Sequence, residues 1–143
     1  MPQADMEKTF DVDAGKYFSA VADYSKYPEF VEGMKAITVD TISPGKHLVH
    51  YSISMLSKDM TYDLDTEDNS EQGTVNWKLA KSDFFKVNNG AWKIEAQGPG
   101  KCKVSYSLEV EFKFSVPGFI LKPLVKSTLP TMMNSFYERA KKL

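Results

Sequence analysis

Three tyrosines offer the most chemistry in this sequence. Tyr51 alternates with Val49 and Ile53, Tyr62 with Met60 and Leu64, and Tyr106 with Val104 and Leu108. Each phenol is therefore expected on the apolar face of a β-strand. A hydroxyl there is destabilising unless it finds a partner. That partner is either backbone or water at a rim, or a bound ligand. A phenol with an ordinary pKa of about 10 is too weak a base at neutral pH to drive proton transfer unaided, so the tyrosines point to recognition.

No other residue type supplies a catalytic or metal-binding pattern. Cys102 is the single cysteine, which excludes an internal disulfide and a multi-thiolate metal site. With no histidine at a predictable distance it is expected to be a buried small hydrophobe rather than a nucleophile. His47 and His50 are three apart on a strand, so they point to opposite faces and cannot share a metal. His50, opposite in phase to Tyr51, is expected in solvent. Asp63, Asp65 and Glu67 alternate as in a calcium loop, but the glycine at the sixth position and the glutamate at the twelfth are missing. The acids of this region are expected on the outward face. No catalytic residue, metal or cofactor is assigned, and the balance leans away from an enzyme.

The elements that would position the tyrosines follow from periodicity. Met6 to Val12 reads as a strand. Asp13 then caps a helix whose apolar residues Ala14, Tyr17, Phe18 and Val21 fall at helical spacing. Pro28 suits the first turn of a second short helix and Gly33 its end. From about Met34 to Phe114 the period is two. Turn residues stand at Ser43-Pro44-Gly45, Asp68-Asn69-Ser70, Asn88-Asn89-Gly90 and Gly98-Pro99-Gly100, which predicts an antiparallel meander. Its clearest strand places Cys102, Val104, Tyr106, Leu108, Val110, Phe112 and Phe114 on one face. Val75, Trp77 and Leu79 repeat the alternation, as do Trp92, Ile94 and Ala96. At Phe84 and Phe85 the parity slips; either one ring leaves the sheet to line a mouth, or a bulge puts one inside and one outside.

After Gly118 the period becomes helical, with Leu121, Val125, Leu129, Met132, Phe136, Ala140 and Leu143 on one stripe and Lys126, Asn134, Glu138 and Lys141 opposite. A helix with a polar face, interrupted by Lys122 and Lys126, does not span a membrane. Pro123 fits its first turn, whereas Pro130 falls inside. There it deletes a hydrogen bond to Lys126, giving a kink that either covers a cavity or follows a solid core.

Size and charge narrow the class. The 143 residues are enough to bury a core, and no repeat or linker divides them, so residues 1–143 are expected to form one domain. Lys and Arg total 18 against 19 acids, so no global field favours nucleic acid or an anionic membrane. No leader pattern opens the sequence, and a cytoplasmic location is expected. Aromatic residues make up 13% of the chain, which leaves many large side chains seeking cover.

The segment DYSKYPEFVEGMKAITV, from Asp23 to Val39, and the pair VNNGAWKIE and KCKVSYSLEVEFKF supply local motifs for the whole order of elements. That order resembles the helix-grip fold of the START-like (SRPBCC) superfamily, which includes polyketide cyclase/dehydrase-like and coenzyme Q-binding proteins. The resemblance implies an α+β fold in which a curved antiparallel sheet wraps a long C-terminal helix, with two short helices after the first strand. It also implies a cavity between sheet and helix for a hydrophobic small molecule such as a lipid, an isoprenoid or quinone, or a polyketide-like aromatic. Binding or transport is the function implied, and a polyketide cyclase or aromatase using the same cavity is the alternative. A protein partner docking at the apolar mouth stays open. On this basis the ligand-binding residues are Tyr51, Tyr62, Trp77, Phe85, Trp92, Tyr106 and Leu108 from the sheet, and Leu129, Met132, Met133 and Phe136 from the helix. Each is otherwise a core residue.

Overall fold

Asp13 caps its helix as its residue type dictates: the side chain accepts a hydrogen bond from the Gly15 amide at 3.1 Å. In a computed structural model of the protein this helix, α1, spans Ala14–Ala22 and follows strand β1, Gln3–Phe10. The structure describes residues 3–31, 33–55, 58–115 and 118–143, with side chains described over 4–31, 33–54, 59–115 and 129–143. Tyr17 and Val21 of α1 are fully buried, which bears out the spacing that predicted its apolar face.

A six-residue 3₁₀ helix, Tyr24–Glu29, comes next. Side chains three apart eclipse in this geometry, so Tyr24 and Tyr27 bury one face together. Pro28 is its fifth residue rather than part of its first turn. The proline ring holds φ at about −65°, within the range of a 3₁₀ turn, so the residue is tolerated there. Gly33, at φ 85°, then reverses the chain, and its carbonyl accepts from the Ser54 amide at 2.8 Å.

The remaining strands are β2 (Met34–Ser43), β3 (Lys46–Met55), β4 (Lys58–Asn69), β5 (Thr74–Ser82), β6 (Phe85–Ala96) and β7 (Cys102–Phe112). They form a seven-stranded sheet in the order β1-β7-β6-β5-β4-β3-β2, with every neighbouring pair antiparallel. A curved sheet of this order closed by the last helix, α2 (Gly118–Ala140), is the helix-grip architecture.

The sheet corrects one turn. Asn88, Asn89 and Gly90 lie in the middle of β6, and β5 passes to β6 through Asp83 and Phe84. Ser82 makes that turn possible, because its Oγ accepts from the amides of Phe84 and Phe85 at 3.0 and 3.1 Å. A bulge follows between Phe85 and Val87. It lets Phe85 face inward, 3% exposed, while Phe84 remains half-buried in the turn.

Helix α2 lies across the inner face. Phe136 sits edge-on to Trp92, Tyr27 and Phe30 at centroid distances of 5.1, 5.1 and 5.0 Å. Asn134, Glu138 and Lys141 are exposed, as the stripe requires. Leu143 is exposed too, because the helix ends at Ala140 before the stripe can carry it inward. Pro123 is the sixth residue of α2, beyond the first turn expected of it, and the helix continues through Pro130. The expected side-chain positions of Leu121, Lys122, Val125 and Lys126 lie outside the described residues. Among the described residues no helix is long and apolar enough to cross a membrane.

Candidate functional site: a cavity between sheet and helix

The inner face is divided into a packed end and a hollow one. At the packed end, Phe10, Tyr17, Cys102, Val104 and Met133 are buried in one hydrophobic core. Tyr17 donates its hydroxyl to the Met133 carbonyl at 2.9 Å, tying α1 to α2. Burial pushes the Cys102 thiol up to about 11, so it stays a protonated, unreactive small hydrophobe at neutral pH. That is the role its isolation in the sequence suggested.

The hollow end holds a half-open cavity of about 600 Å³, within the range of small-molecule sites. Its floor is the sheet, with Tyr51, Tyr62, Phe85, Trp77, Trp92, Tyr106 and Leu108 all lining it. Its cover is the α2 stripe of Leu129, Met132 and Phe136. Met133 does not reach this space. One residue along from Met132, it is turned by about 100° around the helix and is fully buried.

The rings of the floor are arranged as two walls. Tyr51 and Tyr62 stack at 4.9 Å with planes 11° apart, and Tyr62 meets the edge of Phe85 at 5.0 Å. Opposite them, Tyr106 contacts Trp92 at 4.6 Å and Trp77 at 5.5 Å. Among the described residues, no lysine, arginine, histidine, aspartate or glutamate lines the cavity.

The hydroxyls settle how the tyrosines differ. Tyr27 donates to the Val21 carbonyl, and Tyr24 to Asp68 at 2.8 Å. The hydroxyls of Tyr51, Tyr62 and Tyr106 meet no partner among the described residues, although all three rings are in the wall. Burial pushes all three phenols well above the usual tyrosine value. They are protonated at neutral pH and act as donors or acceptors, not as bases.

Several contributors were missed in the sequence. Tyr24 and Tyr27 line the cavity from the 3₁₀ helix, and their spacing of three was the available signal. Asn88 lines it from β6 and was hidden by its reading as a turn. Asp68 corrects the expectation that the acids of the meander all face outward. It is in phase with Leu64 and Thr66, so it turns inward at the end of β4. There its Oδ2 receives the Tyr24 hydroxyl and pairs with His47 Nε2 at 2.8 Å, while His47 Nδ1 meets Thr41 Oγ1 at 3.0 Å. His50 points the other way, between Asp63 at 2.7 Å and Asp40 at 2.8 Å. Opposite faces for the two histidines are what the spacing dictates, and no cluster of metal-ligating side chains is found among the described residues.

Comparison with known proteins agrees with this geometry. The chain is 18% identical to a START superfamily protein from Mycobacterium smegmatis, with a TM-score of 0.86 over 98% of this chain and 97% of that one. It matches the Zhui aromatase/cyclase from Streptomyces sp. R1128 at a TM-score of 0.87 and 9% identity, over 99% and 94% of the two chains. In sequence it is 24% identical over 127 residues to the ribosome association toxin RatA of Pseudomonas aeruginosa, covering 88% of this chain and 86% of the relative. The family model described as "Polyketide cyclase / dehydrase and lipid transport" matches residues 11–137, and the chain belongs to that family.

Proposed function

We propose that this protein binds a hydrophobic small molecule in the cavity under α2 and acts as its carrier or sensor. The observation that carries the reading is a half-open cavity of about 600 Å³ whose wall holds three tyrosine hydroxyls with no partner among the described residues. A solid core would have filled the space or satisfied the hydroxyls, as happens at Tyr17. A ligand hiding ~10 methylene-sized units from water would gain about 8 kcal/mol before ordering costs, at roughly 0.8 per unit. The family description, which joins cyclases to lipid transport, supports the same use of the cavity.

Native mass spectrometry of the freshly purified protein, followed by organic extraction, tests this directly. A bound organic mass is the expected result. In a thermal-shift panel of lipids, quinones and flat aromatics, a ligand at 100 times its Kd should add about 2.7 kcal/mol. No bound mass and no shift across the panel would refute a carrier.

A second reading, a cyclase, is favoured by one specific observation. Tyr24 lines the cavity and donates a hydrogen bond from its hydroxyl to Asp68, which also holds His47. This chain of groups could steady a proton at the cavity end. Its weakness is that Tyr24 is protonated, because burial and the Asp68 hydrogen bond both push its phenol up. Tyr24→Phe separates the readings: a carrier keeps its affinity for apolar ligands, whereas a cyclase loses turnover of a poly-β-ketone substrate. The name of the RatA relative adds a third test, co-sedimentation with ribosomes, in which an interaction module would pellet and a carrier would stay in the supernatant.

A further inference from the structure

Asn88 is the buried side-chain amide of the cavity wall, 7% exposed. Trp77 donates its indole N–H to Asn88 Oδ1 at 3.2 Å. An indole nitrogen can only donate, so the amide orientation is fixed: oxygen toward Trp77, Nδ2 away from it. The Nδ2 meets no acceptor among the described residues and opens onto the cavity.

Trp77 is itself locked. Gly90 is its cross-strand neighbour, and a Cβ built on Gly90 would stand 2.3 Å from Trp77 Cζ2 and 2.4 Å from the Ser107 carbonyl. The indole therefore lies directly over the glycine backbone, a position that any larger residue would deny it. Asn89, on the outer side, accepts from the Leu79 amide at 3.4 Å where β5 and β6 have stopped pairing. Asn88, Asn89 and Gly90 thus hold one donor in a fixed direction: Gly90 admits Trp77, Trp77 orients Asn88, and Asn88 presents two N–H groups to an apolar space. A donor so placed is left unpaired by a purely hydrocarbon ligand and satisfied by an acceptor oxygen.

We propose that Asn88 is the specificity-determining donor of the cavity, and that it selects a ring-bearing hydrophobic ligand whose carbonyl oxygen lies beside Trp77. The ring requirement follows from the walls, where stacked Tyr51 and Tyr62 face Trp77, Trp92 and Tyr106 across the space. Tyr106, adjoining Trp77, supplies a second hydroxyl donor to the same oxygen or to a neighbouring one. The proposal rests on the ligand-binding reading above.

Fluorenone and fluorene differ by one carbonyl oxygen, and equilibrium dialysis of both against the parent protein, Asn88→Leu and Asn88→Asp tests the assignment. Asn88→Asp, with its carboxyl ionised as verified by repeating the dialysis at higher pH, keeps an acceptor for Trp77 while removing both donors, so it separates recognition from packing. The fluorenone-to-fluorene affinity ratio is expected to fall about 2–10-fold in both variants. The carbonyl stretch of bound fluorenone should lie at lower frequency in the parent than in either variant. An unchanged ratio in either variant overturns the proposal, as does an equal loss of both probes in Asn88→Asp. Fluorene binding with an unaltered ratio would sink the donor assignment and leave the carrier intact; binding of neither probe to the parent would sink the ring-and-carbonyl selection, while the carrier is refuted only by the absence of a bound mass and of any shift across the wider panel.

Discussion

Tyr17 on α1 and Tyr106 on β7 are the same residue type turned into the same interior, and they have opposite uses. Tyr17 is wholly buried, stacks on Phe10 at 5.2 Å and gives its hydroxyl to the Met133 backbone. Tyr106 has comparable burial of its ring, between Trp92 and Trp77, yet its hydroxyl has no partner among the described residues. The packed end of the molecule spends its polar atoms on itself and the hollow end keeps them for something else. A hydrogen-bond inventory therefore distinguishes core from site where hydrophobicity does not.

The largest effect that could break this comparison is at the packed end. Tyr17→Ala should destabilise by about 3–5 kcal/mol, the usual range for deleting a buried aromatic ring. Chemical denaturation would measure it. A loss under about 1 kcal/mol would mean that the end is not solid and that the contrast is false. Gly90→Ala is next, at about 1–3 kcal/mol, because the new methyl would overlap Trp77 and the Ser107 carbonyl and force one of them to move. Its second signature is a changed tryptophan emission spectrum. An unaltered spectrum with parental stability would show that the indole does not lie over this glycine.

These two sites also show what the sequence could and could not reveal. Alternation along β7 was legible because one face is buried and the other wet, and it placed Tyr106, Leu108 and Val110 correctly on the inner side. The helical stripe placed Leu129, Met132 and Phe136 for the same reason. Gly90 was misread because glycine has two uses. Asn-Asn-Gly has the composition of a tight turn, and only the ring of Trp77 on a different strand reveals that this glycine serves close approach. Met133 was misplaced because periodicity gives a face to within about a residue, and one residue is about 100° on a helix. Asp68 was taken for a turn residue, and its partners Tyr24 and His47 are 44 and 21 residues away in sequence. Contacts of that kind have no local signal.

A smaller effect sharpens the difference between the two tyrosines. Tyr106→Phe removes a hydroxyl that no described residue uses, so stability should change by less than about 1 kcal/mol. Tyr17→Phe, by contrast, removes a buried hydrogen bond to the Met133 carbonyl and should lose about 0.5–1.5 kcal/mol. Ligand titrations complete the pair. Tyr106→Phe should weaken an oxygen-bearing aromatic more than a hydrocarbon of the same shape, and equal weakening of both would remove its hydroxyl from the site.

The smallest effect belongs to the outer face of the sheet, which lies outside the contrast between packed and hollow ends and serves as its control. His50 stands on that face between Asp40 and Asp63, and hydrogen bonds to these carboxylates raise its pKa above the ordinary 6.5. A raised folded-state pKa stabilises the protein fully below the unfolded value of 6.5, and this contribution fades as pH rises through the folded value. Melting temperature should therefore drop modestly across that window in the parent, and His50→Gln should flatten the drop. The imidazole is partly exposed, so added salt should weaken the effect. Because the whole thickness of the sheet separates His50 from the cavity, hydrophobic-ligand affinity should be the same in parent and variant at pH 6 and pH 8. A shift in affinity that tracks His50 titration would show that the outer face is coupled to the cavity.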